Sequence, residues 1–180
     1  DTLWVNEDGT LVPISTPPVS GPYDLFDEPI PQATAGVAWT DFNLDGHLDI
    51  WASTNILDES EVLSLNPAQP HGSDRLLRGD GTGGYIDEGF EAGLDKRTAT
   101  FNSTVFDMDN DGDSDIFLNV LVGKNRLYRN ELVETGTLHF TDVTEAYSLG
   151  EPTLENPRSH AFSSAPADFN GDGFLDLIVW

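Results

Sequence analysis

The sequence predicts an all-β fold of repeated four-stranded antiparallel sheets. Three observations carry that reading. A ten-residue acidic motif recurs three times along the 180 residues. A pair of short alternating segments recurs between its copies. No amphipathic helix of convincing length interrupts them.

The acidic motif reads D-x-[DN]-x-D-G-x-x-D-[IL]. Its copies run from Asp41 to Ile50, from Asp107 to Ile116 and from Asp168 to Leu177. They recur about every 60 residues, a spacing that signals an array of structural repeats. Strand-like runs flank each copy. Ala35-Gly36-Val37-Ala38-Trp39-Thr40 precedes the first, and Leu48-Asp49-Ile50-Trp51-Ala52 closes it. Phe117-Leu118-Asn119-Val120-Leu121 and Leu177-Ile178-Val179-Trp180 follow the second and third.

The alternating segments come next. Arg75-Leu76-Leu77-Arg78-Gly79-Asp80 leads into Gly84-Tyr85-Ile86-Asp87-Glu88. Arg126-Leu127-Tyr128-Arg129-Asn130-Glu131 leads into Leu138-His139-Phe140-Thr141-Asp142-Val143-Thr144. A looser copy opens at Thr2-Leu3-Trp4-Val5 and runs to Leu11. Apolar-polar alternation broken by a Gly- or Asp-rich turn reads as a β-hairpin. One period therefore holds four short strands, the content of a β-propeller blade. The reading gives outer strands of a partial blade at 1–16, blades at 35–94 and 99–146, and inner strands of a partial blade at 161–180. Segments 17–34, 55–73 and 148–160 read as loops. Two whole blades and two halves are fewer than the usual ring of 4–8. The expectation is a segment of a larger propeller, completed by further blades or by other chains.

Composition narrows the function. The chain carries 32 Asp+Glu against 8 Lys+Arg, a formal charge of -24. That excludes the basic patch needed for nucleic-acid phosphates. No run approaches the roughly 18 apolar residues of a spanning helix, so membrane insertion is not expected. Hydrophobic residues at 38% and aromatics at 10% argue against an acidic disordered tail. With no Cys, disulfides and thiolate metal sites are both out. Clustered carboxylates need neutralising, and a hard cation with oxygen ligands does so.

Motif positions 1, 3, 5 and 9 offer side-chain oxygens, and the Gly at position 6 permits a sharp turn. Position 7 can add a backbone carbonyl, which suits the variety of His47, Asp113 and Phe174 there. An all-oxygen set rich in carboxylates selects Ca²⁺ over Zn²⁺ or copper. An EF-hand shares the first six positions but needs a bidentate Glu at position 12. Here position 12 is Ala52, Leu118 and Val179, each within an apolar run.

These loops resemble FG-GAP/VCBS repeats, the calcium-loop blades of integrin α-subunit propellers. The pairing with R-L-[YL]-R and F-T-D-V-T is most similar to the bacterial VCBS-type and cartilage-acidic-protein-like branch. The resemblance covers about residues 1–16, 35–54, 74–94 and 99–180. It implies a loop joining the two inner strands of each blade and holding one Ca²⁺, about three ions in all. The implied ligands are Asp41, Asn43, Asp45 and Asp49, then Asp107, Asp109, Asp111 and Asp115, then Asp168, Asn170, Asp172 and Asp176. His47, Asp113 and Phe174 join them through position 7. Ala35-Gly36, Asn102-Ser103 and Ser163-Ser164 stand where the literal tripeptides would, in degenerate form.

The resemblance also implies an extracellular, cell-surface or periplasmic setting. The expected function is a non-catalytic module for protein interaction, adhesion or surface assembly, with a protein or glycan partner. A lectin-type carbohydrate-binding propeller is the alternative, as is the scaffold of a polysaccharide-active enzyme. Either would need more than the fold, since propellers host many functions. Trp4, Tyr85 or Tyr128 is a candidate sugar platform, while Trp39, Trp51, Phe117, Leu127, Phe140 and Val179 are expected in the core. Arg78-Gly79-Asp80 resembles an adhesion tripeptide but aligns with Arg129-Asn130-Glu131, so it reads as a hairpin turn. The His residues at 47, 71, 139 and 160 are scattered without catalytic spacing.

Overall fold

Alternation of apolar and polar residues over five to eight positions puts this chain into strands, and turn residues end them. The computed structural model describes residues 3–14, 33–55, 74–94, 98, 100–120, 123–149 and 161–180. The first hairpin pairs β1 (Leu3–Glu7) with β2 (Thr10–Ile14) around Asp8 and Gly9, both at positive φ. The first four-stranded sheet comprises β3 (Ala33–Thr40), β4 (Asp49–Asn55), β5 (Arg75–Gly79) and β6 (Tyr85–Asp87). The second comprises β7 (Thr100–Phe106), β8 (Asp115–Val120), β9 (Arg126–Asn130) and β10 (Phe140–Asp142). A last hairpin pairs β11 (Ser164–Ala167) with β12 (Asp176–Val179).

Both sheets are antiparallel meanders whose strands neighbour in chain order. This is the all-β, four-stranded architecture of propeller blades; the described strands do not close a ring. β7 packs against β3 and β4 on one side and β11 on the other, so the leading strands of successive units stand side by side. Equivalent bulges fall between Thr34 and Gly36 and between Thr100 and Asn102. A Cβ at Gly36 would stand 2.6 Å from Asn102 Oδ1, so glycine lets these two strands approach.

The strand that follows each acidic loop explains the packing. Side chains of β8 alternate faces. Ile116, Leu118 and Val120 face the first sheet and meet Phe42, Trp51 and Leu76. Phe117 faces the other way and packs with Phe106, Leu127 and Leu177 of the last hairpin. Phe42 and Phe140 meet edge-on at 5.7 Å. The third forward-facing equivalent, Ile178, is 56% exposed, because no further sheet covers it among the described residues.

That asymmetry corrects part of the expected core. Trp51, Phe117, Leu127 and Phe140 are buried, but Trp39 and Val179 are exposed. Trp39 lies on the uncovered face of the first sheet, edge-on to Tyr85 at 6.2 Å, and Val179 ends a strand with one neighbour. Tyr85 and Tyr128 are buried, so of the three candidate platforms only Trp4 is exposed. A single helical turn, α1 (Leu132–Thr135), sits between β9 and β10 where no helix was expected. β3 begins two residues before the expected blade boundary. The expected loops at 17–34, 55–73 and 148–160 fall almost wholly outside the described residues. No described helix is long and apolar enough to cross a membrane.

The sheets are also stitched by polar contacts. Ser53 Oγ donates to Ser103 Oγ at 2.8 Å, and Thr104 Oγ1 lies 2.6 Å from Ser164 Oγ. Asn119 Nδ2 donates to Ser164 Oγ at 2.9 Å. Asp74, just ahead of β5, accepts from Thr54 N–H and from the hydroxyls of Thr98 and Thr100. Asn125 holds the same place before β9, accepting from Val120 N–H at 3.0 Å.

Truncating a filled core position costs far more than truncating its exposed counterpart. Phe117→Ala is expected to lose about 3–5 kcal/mol and Ile178→Ala about 0.5 kcal/mol or less, read from urea unfolding. Equal losses would refute the assigned facing of the strands.

Candidate metal centre

Each acidic loop connects the first two strands of its unit, β3–β4, β7–β8 and β11–β12. The turn is built by its own carboxylates. Asp41 accepts from Asp45 N–H at 3.0 Å and Gly46 N–H at 2.8 Å. Asp107 accepts from Asp111 N–H at 3.2 Å and Gly112 N–H at 3.1 Å. Asp168 accepts from Asp172 N–H at 3.1 Å and Gly173 N–H at 3.0 Å. The motif glycine has φ of 89°, 101° and 92° in turn. Position 4 is also left-handed, as Leu44 (φ 55°), Asn110 (φ 62°) and Gly171 (φ 78°). Asn and Gly tolerate that region, whereas Leu is strained there.

Position 5 turns inward in each loop. Asp45, Asp111 and Asp172 accept from the amides of His47, Asp113 and Phe174 at 2.9, 3.0 and 2.9 Å. In the first and third loops Asn43 and Asn170 converge on the same turn, accepting from Asp45 N–H and Asp172 N–H. Their amides donate to Asp45 Oδ2 and Asp172 Oδ2 at 2.9 and 3.0 Å. That bond draws the Asp45 carboxyl below the usual carboxylate range, helped by the His47 amide.

The second loop lacks this relief, because position 3 is Asp109. Asp107, Asp109 and Asp111 each bring a carboxylate oxygen within 4.8 Å of the others. Asp109 Oδ1, Asp111 Oδ2 and Asp113 Oδ1 are buried and accept no hydrogen bond. Unpartnered buried oxygens are costly, and a cation would satisfy them. Burial and then the neighbouring Asp111 push the Asp109 carboxyl up. Burial pushes Asp113 up to about 6 despite the bond from Val133 N–H.

The ninth position is a clamp. Asp49 accepts from Phe42 N–H at 2.8 Å and from Gly79 N–H at 2.9 Å, reaching the end of β5. Asp115 accepts from Met108 N–H at 2.7 Å and from Asn130 N–H at 2.8 Å, reaching the end of β9. Asp176 accepts from Phe169 N–H at 2.9 Å and is exposed. Burial raises Asp49 and takes Asp115 up to about 7. Each carboxylate oxygen has two lone pairs, so accepting an amide leaves capacity for an ion.

Glu134 joins the second loop from α1; its carboxylate groups with those of Asp111 and Asp113 within 4.8 Å. Sequence reasoning passed over it, since one Glu in an acidic chain carries no periodic signal. The position-7 side chains diverge: Asp113 is buried, while His47 and Phe174 are exposed. The Arg78-Gly79-Asp80 segment makes local contacts. Arg78 pairs with Glu88 at 2.8 Å, and Asp80 accepts from Thr82 and Gly84 amides, closing the β5–β6 turn. All five described Lys and Arg residues form ion pairs, Arg75–Asp87, Arg78–Glu88, Lys124–Glu145, Arg126–Asp142 and Arg129–Glu131.

Fold and loops together define a class: blade-like β-sheets with carboxylate loops between their leading strands. Residues 107–179 match a family model described as FG-GAP-like repeat, so the chain carries an FG-GAP-like repeat spanning the second and third loops. No curated protein matches the chain.

Two outcomes follow from the loops. Leu44→Asn is expected to raise stability by about 1 kcal/mol by relieving the left-handed strain, measured by urea unfolding with calcium present; a loss would contradict it. In calcium-free protein, Asp113 and Asp115 hold protons in the fold that the unfolded chain releases. That contribution is present at low pH and lost as pH rises through about 6 and 7. The unfolding midpoint should fall between about pH 4 and pH 7 without calcium, and saturating Ca²⁺ should abolish the fall.

Proposed function

We propose that this chain is a calcium-stabilised propeller module that acts outside the cytoplasm in protein interaction, adhesion or surface assembly, without catalysing a reaction. The observation that carries the calcium reading is the trio of buried carboxylate oxygens without donors, Asp109 Oδ1, Asp111 Oδ2 and Asp113 Oδ1. An all-oxygen donor set favours Ca²⁺, and the exposed first and third loops suit weak extracellular sites of about 10⁻⁴–10⁻³ M. Asp107, Asp109 and Asp111 would hold the ion of the second loop. Asp41, Asn43 and Asp45, and Asp168, Asn170 and Asp172, would serve the others, with the position-9 carboxylates behind them. A bound ion supplies positive charge that offsets carboxylate repulsion and couples binding to folding.

The interaction role is supported by surface. Val37 and Trp39 on one open face, and Phe169 and Ile178 on the other, are exposed apolar side chains. Cover by further blades or by another chain would bury them. A lectin reading has less support, since Tyr85 and Tyr128 are buried and only Trp4 remains of the candidate platforms.

Calcium at about 100 times its Kd adds about 2.7 kcal/mol per filled site, so chelation should lower the melting midpoint. An unchanged midpoint would remove the calcium reading. Asp109→Asn recreates the Asn–Asp bond of the other two loops. It should melt higher than the parent without calcium and gain less when calcium is added.

A further inference from the structure

The second loop carries more acid than one loop ion uses. Two carboxylate groupings lie there, Asp107–Asp109–Asp111 and Asp111–Asp113–Glu134, each with oxygens within 4.8 Å. They share Asp111. Asp111 Oδ1 accepts from Asp113 N–H, and its Oδ2 is buried without a donor. Asp113 is only 2% exposed; Val133 N–H occupies its Oδ2 at 3.1 Å, and its Oδ1 is buried without a donor. A buried carboxylate oxygen left facing other carboxylates requires a cation or a proton.

Glu134 is held where it can serve. The α1 turn that bears it is fixed by Leu132 N–H on Asn130 Oδ1 and by Thr135 N–H on the Glu131 carbonyl. Val133 N–H ties the same turn to Asp113. The nearby cation, Arg129, is engaged through Nε and Nη2 by Glu131 at 3.2 and 2.7 Å. One guanidinium so engaged does not offset Asp109, Asp111, Asp113 and Glu134 together. Among the described residues the other loops form no such carboxylate grouping. Position 7 is His47 or Phe174, and the turn after β5 is a glycine-rich Asp80–Gly84 bend closed on the Asp80 carboxylate.

We propose a second divalent cation site, formed by Asp111, Asp113 and Glu134, with the Asp111 carboxylate shared between it and the loop ion. Three carboxylates with an open, exposed side suit a hard ion that keeps water, Ca²⁺ or Mg²⁺. The site deepens the calcium-loop reading and rests on it only through the shared Asp111.

Native mass spectrometry and calorimetric titration of the whole chain with CaCl₂, repeated with MgCl₂, test it. Glu134 is exposed, so Glu134→Gln is expected to fold like the parent, as circular dichroism would verify. It should bind one divalent ion fewer, with the rest unchanged. Asp109→Ala should lose a different ion, the one in the loop, and the double variant should lose both. An unchanged ion count in Glu134→Gln overturns the second site. So does an unchanged count with weaker affinity, which makes Glu134 a ligand of the loop ion. If Asp109→Ala keeps its full count while Glu134→Gln loses one ion, the loop reading falls and the second site stands.

Discussion

The fold turns on a buried carboxylate that holds two strand ends together. Asp49 and Asp115 are both fully buried, and each accepts one amide from the start of its loop and one from the far end of the third strand. Remove either carboxylate and two backbone N–H groups lose their acceptor, at least one of them buried, the expensive kind of loss. The clamp sets where the acidic loop begins, and so which side chains the following strand sends to each face. Packing of Ile116, Leu118 and Phe117 depends on that register.

Burying acid next to acid creates a tension that the three loops resolve differently. The first and third place Asn beside Asp, and an amide proton quiets the carboxylate. The second stacks Asp107, Asp109, Asp111, Asp113 and Asp115 with Glu134 nearby, and burial pushes the Asp109, Asp113 and Asp115 carboxyls up. Its surroundings are also the driest, lying between two covered sheet faces. A low-dielectric setting strengthens an ion's grip and makes its absence harder to bear.

Much of this was legible in the residues. The three acidic copies and the R-L-x-R hairpins placed the strands of both sheets, because local alternation and turn chemistry agree there. What alternation could not say is which face finds a neighbour. Trp39 and Trp51 sit on opposite faces of one sheet, and only the packing of a second sheet separates their fates. Tyr85 and Tyr128 were equally ambiguous, being amphipathic. The α1 turn is too short for periodicity, so Glu134 stayed hidden. A findable signal was missed in Asp74 and Asn125, the side-chain acceptors standing directly before each R-L-x-R. The spacing pointed to ligands at position 9, but not to their second task as amide acceptors.

Asn130 gives the arrangement a further property. Its backbone N–H meets Asp115, its side-chain amide reaches the Phe42 carbonyl at 3.0 Å, and Phe42 N–H in turn is held by Asp49. One fully buried residue thus strings the two loops into a single line of polar contacts across the sheet interface. The tilt between neighbouring sheets is then set by a directional tether as well as by the bulk of the apolar filling. Apolar residues between the sheets can trade volume among themselves while the tether keeps the pitch of the array.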